Sequence, residues 1–133
     1  MESNSRPRVL LVEDELDLVF LIERALTQAG FEVESCVEGN VALARACARP
    51  PDLCVLDWML PGLDGTEICA RLEADPRTAH VPVILITARG READVFRALV
   101  GGADDCLIKP FALAELVERA RRLLAPVRPL SER

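Results

Sequence analysis

Three stretches, Arg8 to Val12, Leu53 to Leu56 and Val83 to Ile86, run apolar without a break after their first residue. Short uninterrupted runs of this kind predict strands covered on both faces. Phe31 to Val37 alternates instead, with Phe31, Val33 and Ser35 on one side and Glu32 and Glu34 on the other, as a half-covered strand does. Cys106 to Ile108 is a shorter apolar run that predicts a fifth strand. Between the strands the spacing turns helical. Leu18, Ile22, Ala25, Leu26 and Ala29 mark one helix, stopped by Gly30. A second runs to Ala48, with Asn40 as its cap and Pro50-Pro51 as its breaker. A third covers Thr66 to Ala74, capped by Asp64, with Ile68 and Leu72 inward and Asp75-Pro76 closing it. Arg91 to Val100 predicts a fourth, with Val95, Ala98 and Leu99 inward and Gly101-Gly102 at its end. Leu113 to Leu124 is the fifth, with Leu116, Val117, Ala120, Leu123 and Leu124 on one face.

Strand and helix therefore alternate five times. That order predicts a parallel sheet with helices on both faces. Five units fit the flavodoxin-like doubly wound (βα)5 fold, an α/β architecture with five parallel strands in the order 2-1-3-4-5. The length of 133 residues matches one domain. The pattern divides it into a disordered lead-in over 1–7, a domain over 8–124, and a tail or start of a linker over 125–133. Pro126 and Pro129 keep that tail extended.

Composition narrows the function. A net charge of −6 argues against direct, nonspecific nucleic-acid binding. No stretch reaches the ~18 apolar residues of a membrane span. The polar start, Met1 to Pro7, lacks the apolar core of a signal peptide, so the sequence reads as cytoplasmic. Five cysteines, Cys36, Cys47, Cys54, Cys69 and Cys106, form no CxxC pair and lie inside apolar patterns. They read as small buried hydrophobes in a reducing compartment.

The chemistry lies at the strand ends. Glu13-Asp14 follows the first strand, Asp57 ends the third, Thr87 the fourth and Lys109 the fifth. In a parallel sheet those ends point the same way, and the order 2-1-3-4-5 makes these four strands neighbours. Ligands of open α/β sheets sit beyond the carboxyl ends of the strands. Two carboxylates ~5 Å apart repel by roughly 3 kcal/mol at an effective dielectric of 20. A cation resolves such repulsion, and Lys109 offsets only one charge. All the ligands are oxygen, so the cation should be hard, with Mg²⁺ favoured. Mg²⁺, a lysine and a hydroxyl around a carboxylate are the parts of a phosphoryl-transfer site, and the carboxylate can itself attack phosphorus.

Four motifs, Val-Glu-Asp-Glu (12–15), Leu-Asp-Trp-Met-Leu-Pro-Gly-Leu-Asp-Gly (56–65), Ile-Thr-Ala-Arg (86–89) and Gly-Ala-Asp-Asp-Cys-Leu-Ile-Lys-Pro-Phe (102–111), occur in this order and at these separations. Together they make the chain resemble the receiver domain of two-component response regulators over residues 8–124. The resemblance implies that Asp57 accepts a phosphoryl group from a sensor histidine kinase or phosphotransfer protein. It implies that Asp14, Asp57 and the Met59 carbonyl hold Mg²⁺, with Glu13 acting through water. Thr87 would be the switch hydroxyl, Lys109 would contact the phosphoryl group, and the Lys109-Pro110 bond would be cis. Such a domain is a signalling switch that catalyses its own phosphorylation and dephosphorylation.

The chain departs from that family at Cys106, where an aromatic residue is usual and swings inward on activation. Cys106 is too small for that motion, so the expectation is coupling through the loop and helix from Arg89 to Val100. The resemblance also suggests a homodimer through residues 91–124, for which Asp105 and Arg119 carry matching charges while Val95 and Val100 replace charges usual in the dimerising subfamily. The output partner stays open. Two other classes are weighed against the switch. A phosphorylation-independent interaction module has only Cys106 in its favour, because the acids are intact. An aspartyl-nucleophile phosphatase needs a second Asp two residues after the first, where Met59 stands. A nucleotide-binding fold lacks its glycine-rich loop after Val12.

Overall fold

A computed structural model describes residues 6–88 and 92–125, without the side chains of Glu92, Asp94, Phe96 and Ala98. Most of the expected lead-in, residues 89–91 and the residues beyond Ala125 lie outside the described residues. The elements alternate throughout: β1 (Arg8–Val12), α1 (Leu16–Gln28), β2 (Glu32–Cys36), α2 (Gly39–Ala48), β3 (Leu53–Asp57), α3 (Gly65–Ala74), β4 (Val83–Thr87), α4 (Glu92–Val100), β5 (Asp105–Ile108) and α5 (Leu113–Leu124). All neighbouring strands pair in parallel, in the order β2-β1-β3-β4-β5.

The period of two along each central strand divides the interior into two cores. Leu10, Val12, Cys54, Leu56, Val83 and Leu85 face α2 and α3, where they meet Ala42, Ala46, Ile68 and Leu72. Val9, Leu11, Leu53, Val55, Ile84 and Ile86 face α1 and α5, where they meet Ile22, Leu26, Leu116 and Ala120. Every residue of β3 and of β4 is buried, which is why those segments read as unbroken apolar runs. The edge strand β2 alternates for the same reason. Val33 joins the α1 side of the core, while Glu34 points to the other side and pairs with Arg8 and Arg45.

Local chemistry sets the ends of the helices. After α1, Gly30 takes φ +102°, the Gly30 N–H donates to Thr27 and the Phe31 N–H donates to Leu26. This is a Schellman termination, and the buried Phe31 and Leu26 share one core as its hydrophobic contact. Asp64 caps α3, accepting from the Glu67 N–H at 2.9 Å.

Two expectations require correction. Asn40 does not cap α2; the helix begins two residues earlier than that cap would allow, at Gly39, with Glu38 at the cap position and no capping bond from its side chain. The cause is tertiary. Gly39 packs against the 61–63 loop so closely that a Cβ there would sit 2.7 Å from the Leu63 carbonyl oxygen, and the Asn40 amide borders Gly62 instead. Leu99 does not face inward; it is 44% exposed on α4. That helix packs beside β5, an edge strand of four residues that offers less apolar surface than the central strands. The inward placement expected for Ala98 falls outside the described side chains.

Candidate functional site

The register of the sheet assembles the site. Val12 pairs with Leu56, so Glu13 and Asp57 leave neighbouring strands at the same level. The chain turns from β1 toward β2 on one side and toward β3 on the other, so this level is the topological switch point, where open α/β sheets bind ligands. Asp57 pairs with Ile86, and the Trp58 N–H donates to the Ile86 carbonyl at 2.8 Å. Thr87 pairs with Ile108, and the Lys109 N–H donates to the Thr87 carbonyl at 2.7 Å. Glu13, Asp57, Thr87 and Lys109 are thereby fixed to one rim by backbone hydrogen bonds.

Carboxylate oxygens of Glu13, Asp14 and Asp57 all lie within 4.8 Å of one another, the acid cluster expected from the strand ends. Asp57 is 6% exposed and Glu13 fully buried, while Asp14 is open to solvent. Glu13 Oε2 accepts from the Glu15 N–H at 3.0 Å, and Asp57 Oδ1 accepts from the Met59 N–H at 3.2 Å. Glu13 Oε1 is buried and accepts no hydrogen bond from the described groups. An orphaned buried oxygen is costly unless a further ligand meets it. Beside two more carboxylates and no nitrogen or sulfur donor, it fits a hard divalent cation. Burial drives the Glu13 carboxyl up to about 7; the Glu15 N–H opposes that shift, and the neighbouring Asp57 adds to it.

The Lys109 ammonium enters this cluster from the fifth strand end. It donates to Asp57 Oδ2 at 3.1 Å and to Glu15 Oε1 at 2.9 Å, and stands 3.5 Å from Glu13 Oε1. Burial would lower its pKa, but the hydrogen bond to Glu15 and the charge of Asp57 outweigh burial and hold it above the ordinary lysine range. The following bond, Lys109-Pro110, is cis, as the resemblance implied. Thr87 is buried at the end of β4, and Met59 is exposed on the loop after Asp57. Cys106 is half-buried against the α2–α3 core, in β5. The sequence reading assigned nothing to Glu15; only its place at the end of the acidic run Glu13-Asp14-Glu15 pointed to it. Among the described residues the cysteines form no metal-sized cluster, and burial raises the thiols of Cys36, Cys54, Cys69 and Cys106.

Fold and rim together define a doubly wound α/β protein that gathers an acid cluster and one lysine at the switch point of its sheet. The chain belongs to the response regulator receiver domains, whose family pattern it matches over residues 9–121. It is 44% identical over 123 residues to the phosphate regulon transcriptional regulatory protein PhoB of Rhizobium meliloti, covering 92% of this chain and 54% of that protein. It is 47% identical over 116 residues to the transcriptional regulatory protein TcrA of Mycobacterium tuberculosis, covering 87% of this chain and 45% of that one. The chain thus spans about half the length of the curated relatives it matches. A putative response regulator from Chloroflexus aurantiacus superimposes with a TM-score of 0.87 at 34% identity, over 92% of this chain and all of that one. The receiver domain of a sensor histidine kinase from Pseudomonas aeruginosa, solved with a magnesium ion in its active-site cleft, gives 0.83 at 31% identity, over 92% of this chain and 100% of that one. No helix among the described residues is long and apolar enough to cross a membrane.

Proposed function

We propose that Asp57 accepts a phosphoryl group from the phosphohistidine of a sensor histidine kinase or phosphotransfer protein, and that the domain, residues 8–124, supplies the groups for this step and for later hydrolysis. The observation that carries this reading is the cluster of Glu13, Asp14 and Asp57 with Lys109 Nζ 3.1 Å from Asp57. A carboxylate oxygen of Asp57 attacks phosphorus, the phosphorus–nitrogen bond breaks, and its electron pair returns to the imidazole, which takes up a proton. Asp14, Asp57 and the Met59 carbonyl would hold Mg²⁺, with Glu13 acting through water. The ion would neutralise charge on the transferred oxygens. Lys109, already beside Asp57, would exchange that carboxylate for a phosphoryl oxygen, and the Thr87 hydroxyl would donate to another.

The product is a switch, with the reaction in the cytoplasm. A new dianion draws Lys109 and Thr87 toward it and biases a surface between two arrangements. With Cys106 in place of an aromatic, the coupling would run through the segment from Arg89 to Val100, whose first residues lie outside the described ones. A homodimer through 91–124 would use the exposed Leu99 and Val100; Arg119 is engaged within the chain by Asp105 and Glu115. Sedimentation with and without beryllofluoride tests the dimer: phosphoryl-mimic-dependent dimers support it and an unchanged monomer contradicts it. The main reading is tested by intact-mass spectrometry after incubation with acetyl phosphate and Mg²⁺. The wild-type chain should gain one phosphate and Asp57→Asn none; equal modification of the two would refute the assignment.

A further inference from the structure

Lys109 is shared among three acids, and its shortest contact is with the one the sequence left without a role. Glu15 Oε1 lies 2.9 Å from Lys109 Nζ, against 3.1 Å for Asp57 and 3.5 Å for Glu13. Glu15 occupies the N-cap position of α1, yet its side chain makes no capping bond. Its backbone N–H is bound to Glu13, and its carboxylate crosses instead to the start of the β5–α5 loop. The Glu15 side chain is 66% exposed, whereas that of Asp57 is 9% exposed and that of Glu13 is wholly buried. Of the acids on Lys109, Glu15 alone faces solvent. The pair borders an open groove of about 680 Å³ that Leu18 and Phe111 also line.

We propose that Glu15 is a positioning residue that anchors the Lys109 ammonium at the mouth of the site and restrains the entry of free anionic phosphoryl donors. The inference rests on the receiver reading given above. Glu13, Asp14, Glu15 and Asp57, when ionised, outnumber Lys109 by three charges, and a divalent cation leaves one negative charge in excess. Glu15, like Asp14, is open to solvent, and it is the exposed one of the acids on Lys109. A small phosphoryl donor arrives as an anion, meets that exposed charge, and must share the ammonium with it. The restraint is Coulombic and acts on an exposed group, so salt screens it beyond about 10 Å at 0.1 M. It belongs to donor binding rather than to the bond-making step, so it acts on KM and leaves kcat alone.

The test compares the wild-type chain, Glu15→Gln and Glu15→Asp at saturating Mg²⁺. The probes are acetyl phosphate, for rates, and beryllofluoride, for binding without turnover. Trp58, the sole tryptophan and the neighbour of Asp57, reports both. In Glu15→Gln the KM for acetyl phosphate should fall roughly threefold to tenfold at low ionic strength. The Kd for beryllofluoride should fall in parallel, kcat should stay within about twofold, and the differences should vanish in ~1 M salt. Glu15→Asp keeps the charge and should retain the wild-type KM. An unchanged KM in Glu15→Gln at low salt, a reduced kcat, or identical behaviour of the Gln and Asp variants would overturn the proposal. A wild-type chain left unmodified at Asp57 would overturn the receiver reading and this inference together, and that result is seen before any variant is compared.

Discussion

Replacing Glu13 by glutamine should make the metal-free protein more stable, although it removes a residue of the site. The Glu13 carboxyl is fully buried, one of its oxygens accepts no hydrogen bond from the described groups although Lys109 Nζ stands 3.5 Å away, and its pKa stands at about 7 against an ordinary 4.5. At about 1.36 kcal/mol per unit, that difference costs the folded state about 3 kcal/mol once the group is ionised. The sign follows from proton linkage. Between pH 4.5 and 7 the folded chain holds a proton at Glu13 that the unfolded chain has released, so this group erodes stability as pH rises through that window. Below the window the penalty is absent, and above it the penalty is constant. Glutamine keeps the oxygen that accepts from the Glu15 N–H and carries no charge. Urea unfolding in EDTA should therefore show Glu13→Gln more stable than wild type by up to about 3 kcal/mol at pH 8, but by less than about 1 kcal/mol at pH 5. Saturating Mg²⁺ should stabilise wild type and narrow the gap, because binding to the folded state alone adds stability, and the variant should gain less. A variant no more stable than wild type at pH 8 in EDTA would refute the reasoning, since the Glu13 charge would then be fully compensated by Lys109 without a metal.

Two further substitutions probe the frame that holds the rim. A Cβ at Gly65 would stand 2.7 Å from Leu85 Cδ2, 2.9 Å from the Trp58 Cα and 3.0 Å from the Asp57 carbonyl oxygen. Two of those neighbours are backbone, so Gly65→Ala should destabilise by about 1–3 kcal/mol and shift Trp58 fluorescence; wild-type stability and spectrum would contradict the packing. Asp64→Ala removes the cap bond to the Glu67 N–H and should lower stability by about 1 kcal/mol, read as a lower urea midpoint with an unchanged slope.

Much of this architecture was legible because the strands are buried on both faces. Leu53 to Leu56 and Val83 to Ile86 cannot sit in a one-sided sheet, and their burial throughout β3 and β4 follows from that. The rim was legible because a strand end is a fixed place: once the strand order is known, Glu13, Asp57, Thr87 and Lys109 must share an edge. What stayed hidden depended on contacts across the fold. Asn40 has the chemistry of a cap, but the approach of Gly39 to Leu63 starts the helix earlier. Leu99 has helical spacing, but spacing does not report how little surface the edge strand β5 offers. Val19, buried in α1, falls between the positions that marked that helix. Glu15 looked like one more acid at a helix start, and only the position of Lys109, 94 residues away, gives it a partner.

The claim beneath all of this is that the acids clustered at the switch point bind a divalent ion so that one aspartate, and no other, carries the phosphoryl group. Borohydride reduction of the acetyl-phosphate-treated chain, followed by peptide sequencing, reads that directly, since an aspartyl phosphate is converted to homoserine where it stands. Homoserine should be found at position 57 alone, and only when Mg²⁺ is supplied. Homoserine at Asp14 or elsewhere, or an equal yield at position 57 in EDTA, would contradict the account.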